Sequence, residues 1–163
     1  METINVICVD DQKDVLDAVL RDLRPLEDFF RLEPAESAAE CRELMDEIDE
    51  RGESVGLVIS DHVMPGELGV SLLGWISATP RFSKTKKILL TGQANQADTI
   101  RAINEAHIDS YFEKPWKGEE LLGTVKKLLT AYILEKGIAY EEFMPVLDQA
   151  ELLTFLTRNG FDT

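Results

Sequence analysis

The sequence predicts an α/β domain, a doubly wound five-stranded parallel sheet, followed by an extra C-terminal helical segment. Two observations carry this. Short, nearly continuous apolar runs, of the kind that strands buried on both faces show, alternate with stretches whose apolar residues recur at helical spacing. Such alternation implies parallel strands joined by right-handed helical crossovers that cover both faces of the sheet. At 163 residues the chain holds one ordinary domain with some length left over.

INVICV (4–9) is the first such run. In the following DQKDVLDAVLRDL, Val15, Leu16, Val19, Leu20 and Leu23 form one helical stripe, with Asp11 at the N-cap and Asp14 as a first-turn acid. FFRLE (29–33) is broken by Arg31 and Glu33, which suits an edge strand that Pro34 ends. Cys41, Leu44, Met45 and Ile48 stripe a second helix, and GLVIS (56–60) is a third strand. A loop with Pro65, Gly66 and Gly69 leads to a helix over 70–77. KILLT (87–91) is a fourth buried strand, and a helix with Ile100 and Ile103 spans 97–106. SYFE (110–113) is a short fifth strand. Leu121, Leu122, Val125, Leu128, Leu129, Tyr132 and Ile133 then stripe a long fifth helix.

The five pairs place a domain at 1–134 and leave 135–163 as a helical extension or connector. There Pro145 is expected to open a helix striped by Val146, Leu147, Ala150, Leu153 and Leu156, which Arg158 and Gly160 close. Because a separate stripe needs a surface to cover it, this segment is read, with the fifth helix, as a dimerisation element or the start of a connector, in preference to packing on its own domain.

Charge and composition exclude several classes of function. The 31 acidic against 17 basic residues give a net charge of -14, which opposes direct binding to nucleic acid or anionic lipid. No apolar run approaches the roughly 18 residues of a membrane span. The start, METINVICV, is short and carries Glu2 where an export signal would be basic, so a cytoplasmic protein is expected. Cys8 and Cys41 lie in apolar patterns without zinc or redox spacing and read as core thiols. Neither GxxxxGK[ST] nor GxGxxG occurs, so nucleotide binding is not expected.

In an open parallel sheet the working residues gather at the carboxyl ends of the strands. Here those ends carry Asp10 and Asp11, Asp61, Thr91 and, just past the fifth strand, Lys114. Each alone has an ordinary structural reading: a helix cap, a turn residue or a surface cation. Together, three carboxylates, a hydroxyl and an ammonium form a chemical unit. Adjacent carboxylates raise one another's pKa unless a cation neutralises them, and a hard divalent ion with oxygen ligands does so. Magnesium is usually held by one or two carboxylates together with phosphoryl oxygens, and a carboxylate can be the nucleophile in phosphoryl transfer. Asp61 is the candidate.

With DD at 10 and 11, DHVMPG at 61–66, LTG at 90–92 and YFEKP at 111–115, in that order and spacing, the chain resembles the receiver domain of bacterial two-component response regulators from residue 4 to about 134. The resemblance implies a flavodoxin-like sheet of strand order 2-1-3-4-5. It further implies that Asp61 accepts a phosphoryl group from a histidine kinase or phosphotransfer protein. Asp11, Asp61 and the Val63 backbone carbonyl would bind Mg²⁺ directly, with Asp10 acting through water. Lys114 would pair with one phosphoryl oxygen and Thr91 would swing to another. Tyr111 would be the aromatic switch that turns inward, and the Lys114–Pro115 bond would be cis. Val63 and Gln93 would tune the lifetime of the aspartyl phosphate, with slow self-dephosphorylation expected because Val63 cannot hold a water.

The resemblance also implies an effector or output protein as partner, and the last strand, fifth helix and C-terminal segment are read from the unpartnered stripe as the surface for a homodimer. No enzymatic turnover is expected beyond self-phosphorylation and self-dephosphorylation of Asp61. Two other classes compete: a pseudo-receiver that is a constitutive interaction module, and an aspartate-based phosphatase, whose DxDx[TV] pattern DDQKD does not fit. His62 is expected to face away from the site and His107 to sit at a helix C-terminus. Trp116 is either a docking aromatic or cover for the core beneath the last helix.

Overall fold

A computed structural model describes residues 1–92 and 96–159. Its single sheet has the order β2-β1-β3-β4-β5, all parallel. The strands are β1 (Ile4–Val9), β2 (Arg31–Ala35), β3 (Ser54–Asp61), β4 (Lys86–Thr91) and β5 (Ser110–Glu113). They alternate with α1 (Lys13–Asp22), α2 (Ala38–Glu50), α3 (Gly69–Ala78), α4 (Gln96–Ala106) and α5 (Gly118–Lys136). The predicted architecture and strand order are those observed. The period of two splits each buried strand between two cores. Val6, Cys8, Leu57, Ile59, Ile88 and Leu90 face α1 and α5. Ile7, Val9, Val58 and Leu89 face the helices of the opposite layer.

Gly56 lets α5 approach the sheet. A Cβ there would lie 2.7 Å from Ile4 Cγ2 and 3.0 Å from Leu129 Cδ2, and the β1–β3 register steps across the same position. Both cysteines are free and buried, and burial pushes each thiol up to about 12, so neither is a nucleophile.

Several local expectations need correction. Pro34 lies within β2 and does not end it. Ala35 turns its carbonyl to β1, accepting from the Asp10 N–H at 3.1 Å, so alternation points the Pro34 nitrogen away from the ladder, where no donor is required. Phe29 and Phe30 precede the strand. Gln12, not Asp11, occupies the α1 N-cap position, which leaves Asp11 outside the helix. Ile100 and Ile103, the apolar residues that mark α4 in the sequence, are about half exposed. Gln93 and Gly160 lie outside the described residues.

The C-terminal segment differs most. α5 ends at Gly137, whose φ of 71° is the left-handed turn that glycine adopts without steric cost. A 3₁₀ segment, Tyr140–Val146, contains Pro145, and α6 (Gln149–Arg158) is opened by Asp148, whose carboxylate accepts from the Glu151 N–H at 2.9 Å. Phe143, Val146, Leu147 and Leu152 join the core beneath α1 and α5, and Phe143 stacks on Phe30 with centroids 5.5 Å apart. The buried Thr130 hydroxyl on α5 accepts from the Asp148 N–H at 2.8 Å. Ala150 and Leu153, expected in the stripe, are exposed. The surface that covers this stripe is the chain's own domain.

Truncating Phe143 therefore removes a fully buried ring: Phe143→Ala is expected to lower unfolding stability by about 3 to 4 kcal/mol in a denaturant titration. Leu153→Ala, at an exposed site, is expected to change it by less than about 0.5 kcal/mol.

Candidate functional site

The sheet's register brings the polar residues to one edge. Val9 pairs with Ser60, so Asp10 and Asp61 follow side by side on adjacent strands. Thr91 pairs with Glu113, and the Lys114 N–H donates to the Thr91 carbonyl at 2.8 Å, which fixes the root of the lysine beside the end of β4. The Lys114–Pro115 peptide is cis, as expected.

From there the Lys114 ammonium reaches back across the site. It donates to Asp61 Oδ1 at 2.9 Å and to Asp10 Oδ2 at 3.2 Å. Carboxylate oxygens of Asp10, Asp11 and Asp61 all lie within 4.8 Å of one another. Asp10, Asp61 and Thr91 are buried, whereas Asp11 is exposed. Three acids against one cation are not neutralised, and Asp10 shows it. Burial raises its pKa and the Asp61 charge raises it further, against the opposing pull of the Gln12 backbone N–H at 2.9 Å and of Lys114. Burial works to lower the pKa of Lys114, but the hydrogen bond to Asp61 and the charges of Asp10 and Asp61 outweigh it and the net shift is upward. An all-oxygen, all-carboxylate donor set with excess negative charge fits a hard divalent cation.

Two residues to which sequence reasoning gave no role at the site hold the loop after Asp61 in place. A Cβ on Gly69 would lie 2.1 Å from the Asp61 carbonyl oxygen, so only glycine allows α3 to begin this close to the strand end. Its N–H donates to the His62 carbonyl at 2.7 Å. Glu67, in the same loop, pairs with Arg42 of α2 and accepts from the Ser71 hydroxyl at 2.8 Å. Nothing in a lone loop glycine or a surface glutamate announces these contacts.

The site opens into a cleft of roughly 1030 Å³ whose lining includes Asp11, Asp61, Thr91, Lys114 and, farther out, Ser71 and Arg101. His62 is also among the residues that line it. Val63 is 72% exposed at the mouth and Tyr111 is 45% exposed on β5. His107, with φ 53°, follows α4 as a left-handed terminal residue. Trp116 packs against the core and donates its indole N–H to Asp22.

Comparison with known proteins gives a consistent picture. A model of the response regulator receiver domain matches residues 6–126. The hydrogenase transcriptional regulatory protein HoxA of Cupriavidus necator is 32% identical over 130 residues, covering 80% of this chain and 25% of that protein. The transcriptional regulatory protein GltR of Pseudomonas aeruginosa is 36% identical over 77 residues, covering 47% of this chain and 31% of its own. The chain thus spans about a quarter to a third of these curated relatives. Among solved structures, the signal receiver domain of an HD domain-containing protein from Pseudomonas fluorescens superposes with a TM-score of 0.73 at 30% identity, covering 84% of this chain and 94% of the other. A CheY-like response regulator receiver domain protein from Methanospirillum hungatei superposes with a TM-score of 0.68 at 25% identity, covering 82% and 99%.

The raised pKa of Asp10 has a consequence for stability. Because the folded protein disfavours the ionised form, the associated stability is complete below the ordinary carboxylate range and is lost as pH rises through the raised value. Without divalent cations, Asp10→Asn should therefore melt higher than wild type near pH 7, with the gap closing toward about pH 3 where wild-type Asp10 is protonated too. Thermal melts at the two pH values check this.

Proposed function

Because the chain belongs to the response regulator receiver domain family, we propose that it is a phosphorylation-dependent signalling switch whose phosphoacceptor is Asp61. The observation that carries this reading is the Lys114 ammonium bridging Asp61 and Asp10 within an acid cluster at the carboxyl edge of the sheet. Lysine is a compact point charge suited to a phosphoryl oxygen. Asp61 is held by it through one oxygen, lies at the end of β3, and lines the cleft from which a donor group would approach.

The donor is a phosphohistidine of a histidine kinase or phosphotransfer protein. In the transfer a carboxylate oxygen of Asp61 forms the new P–O bond as the P–N bond to the donor imidazole breaks, and the freed imidazole takes up a proton. Asp11, Asp61 and the Val63 carbonyl would hold Mg²⁺, with Asp10 acting through water, and the ion would neutralise charge on the phosphoryl oxygens. Lys114 shifts from the Asp61 carboxylate to a phosphoryl oxygen, and Thr91 supplies its hydroxyl to another. Tyr111, outward here, turns inward in the phosphorylated state, which biases a two-state equilibrium read by an effector protein at the face around β5 and α5.

No turnover on external substrates is proposed; self-phosphorylation and self-dephosphorylation of Asp61 are the whole chemistry. The net charge of -14 argues against direct nucleic-acid binding. Among the described residues no helix is long and apolar enough to cross a membrane.

Incubation with acetyl phosphate and Mg²⁺ should add a single phosphoryl group to wild type by intact mass and none to Asp61→Asn. No addition to wild type would favour a pseudo-receiver, and continuous donor hydrolysis a phosphatase. Val63, exposed and apolar at the mouth, offers no hydrogen bond to an attacking water. Val63→Asn is therefore expected to shorten the lifetime of the phosphorylated protein several-fold; unchanged or slower decay in a mass time course would remove that role.

A further inference from the structure

Lys114 can serve the site only if the loop that carries it, between β5 and α5, is held still. Its front is pinned by the Lys114 N–H to the Thr91 carbonyl at 2.8 Å. Its rear is pinned from a different quarter of the molecule. Trp116, two residues on, donates its indole N–H to Asp22 Oδ2 at 2.7 Å, and Asp22 is the last residue of α1. The contact is part-buried, and the indole rests on the core under α1 and α5.

The same carboxylate also touches the start of α5. A Cβ on Gly118 would lie 2.6 Å from Asp22 Oδ1 and 2.9 Å from its Cγ. Glycine at the first residue of α5 thus makes room for an acid that belongs to another helix. Lys117, the N-cap residue, provides no side-chain cap, so the Asp22 charge beside this helix start is well placed against the positive end of the dipole. The two pins thus hold the loop on either side of Pro115.

We propose that Asp22 is a positioning residue for the phosphoryl-transfer site, acting through the Trp116 indole to hold the Lys114 loop so that the ammonium meets Asp61. This rests on Asp61 being the phosphoacceptor. It gives Trp116 a role inside the domain, as the link between α1 and the reactive edge. Asp22 itself touches none of the reacting groups; its effect runs through a loop whose displacement by about 1 Å can cost up to about a hundredfold in rate.

The test follows phosphorylation of the full chain by acetyl phosphate with Mg²⁺ over a range of donor concentrations. Asp22→Ala and Trp116→Phe are each expected to lower the maximal rate about tenfold, without a matching change in the half-saturating donor concentration. Asp22→Asn, which keeps an oxygen acceptor for the indole, is expected to stay within about twofold of wild type. In a Lys114→Ala background, Asp22→Ala should add no further loss, because the residue through which it acts is gone. The Trp116 indole resonance in ¹⁵N-edited spectra, resolved from that of Trp75, should lose its protection from solvent exchange in Asp22→Ala and keep it in Asp22→Asn. Equal rates for wild type and Asp22→Ala, or an undiminished Asp22→Ala effect without Lys114, would overturn the inference while leaving Asp61 as acceptor. No labelling of wild type would overturn both.

Discussion

A single ammonium set among three carboxylates is the constraint on which the rest of this molecule turns. Lys114 reaches Asp61 and Asp10 because four strands end in register along one edge, and because β5 delivers the lysine one residue past that edge. The balance it leaves is incomplete. One positive charge cannot neutralise three negative ones packed within 4.8 Å, and burial of Asp10 and Asp61 withholds the water that would screen them. Stability is thus given up locally at the place where chemistry is needed, and the two cores that clamp β1, β3 and β4 offset it.

The loops around the cluster are held from outside it. Glu67, in the loop after Asp61, is tied to Arg42 on α2, whose guanidinium also lies over Trp75, 5.0 Å from the ring centroid. The stretch after Lys114 is tied to α1 through Trp116. The close start of α3 is possible only because Gly69 has no side chain. Each support comes from a helix on one face or the other of the sheet, so the geometry at the edge inherits the rigidity of both layers. The C-terminal segment strengthens one of them, since Phe143 and Leu152 extend the core beneath α1 and α5.

Much of this was legible in residue order because burial and periodicity are local signals. Strands covered on both faces must be apolar throughout, so β1, β3 and β4 declare themselves, and the polar residues that end them then mark the edge where chemistry gathers. Tertiary approach is not local. Gly69 reads as one more loop glycine, and Asp22 as one more exposed acid on an acidic chain, until α3 and α5 are folded against them. The same blindness explains α6, where sequence spacing pointed to Leu153 while the geometry of docking on α5 selects Leu152. Pro34 misled for a related reason, since an edge strand tolerates proline wherever the missing donor would point outward, and the outward side is known only once pairing is known.

The claim most exposed to refutation is that the acid cluster is a seat for a hard cation completed by Asp61. Titration of isotopically labelled protein with Mg²⁺, followed by amide NMR shifts, addresses it directly. Saturable shifts concentrated at residues 10, 11, 61 and 63, and lost in Asp61→Asn, are what the account predicts. Shifts spread evenly over the acidic surface, or unaltered by that substitution, would contradict it.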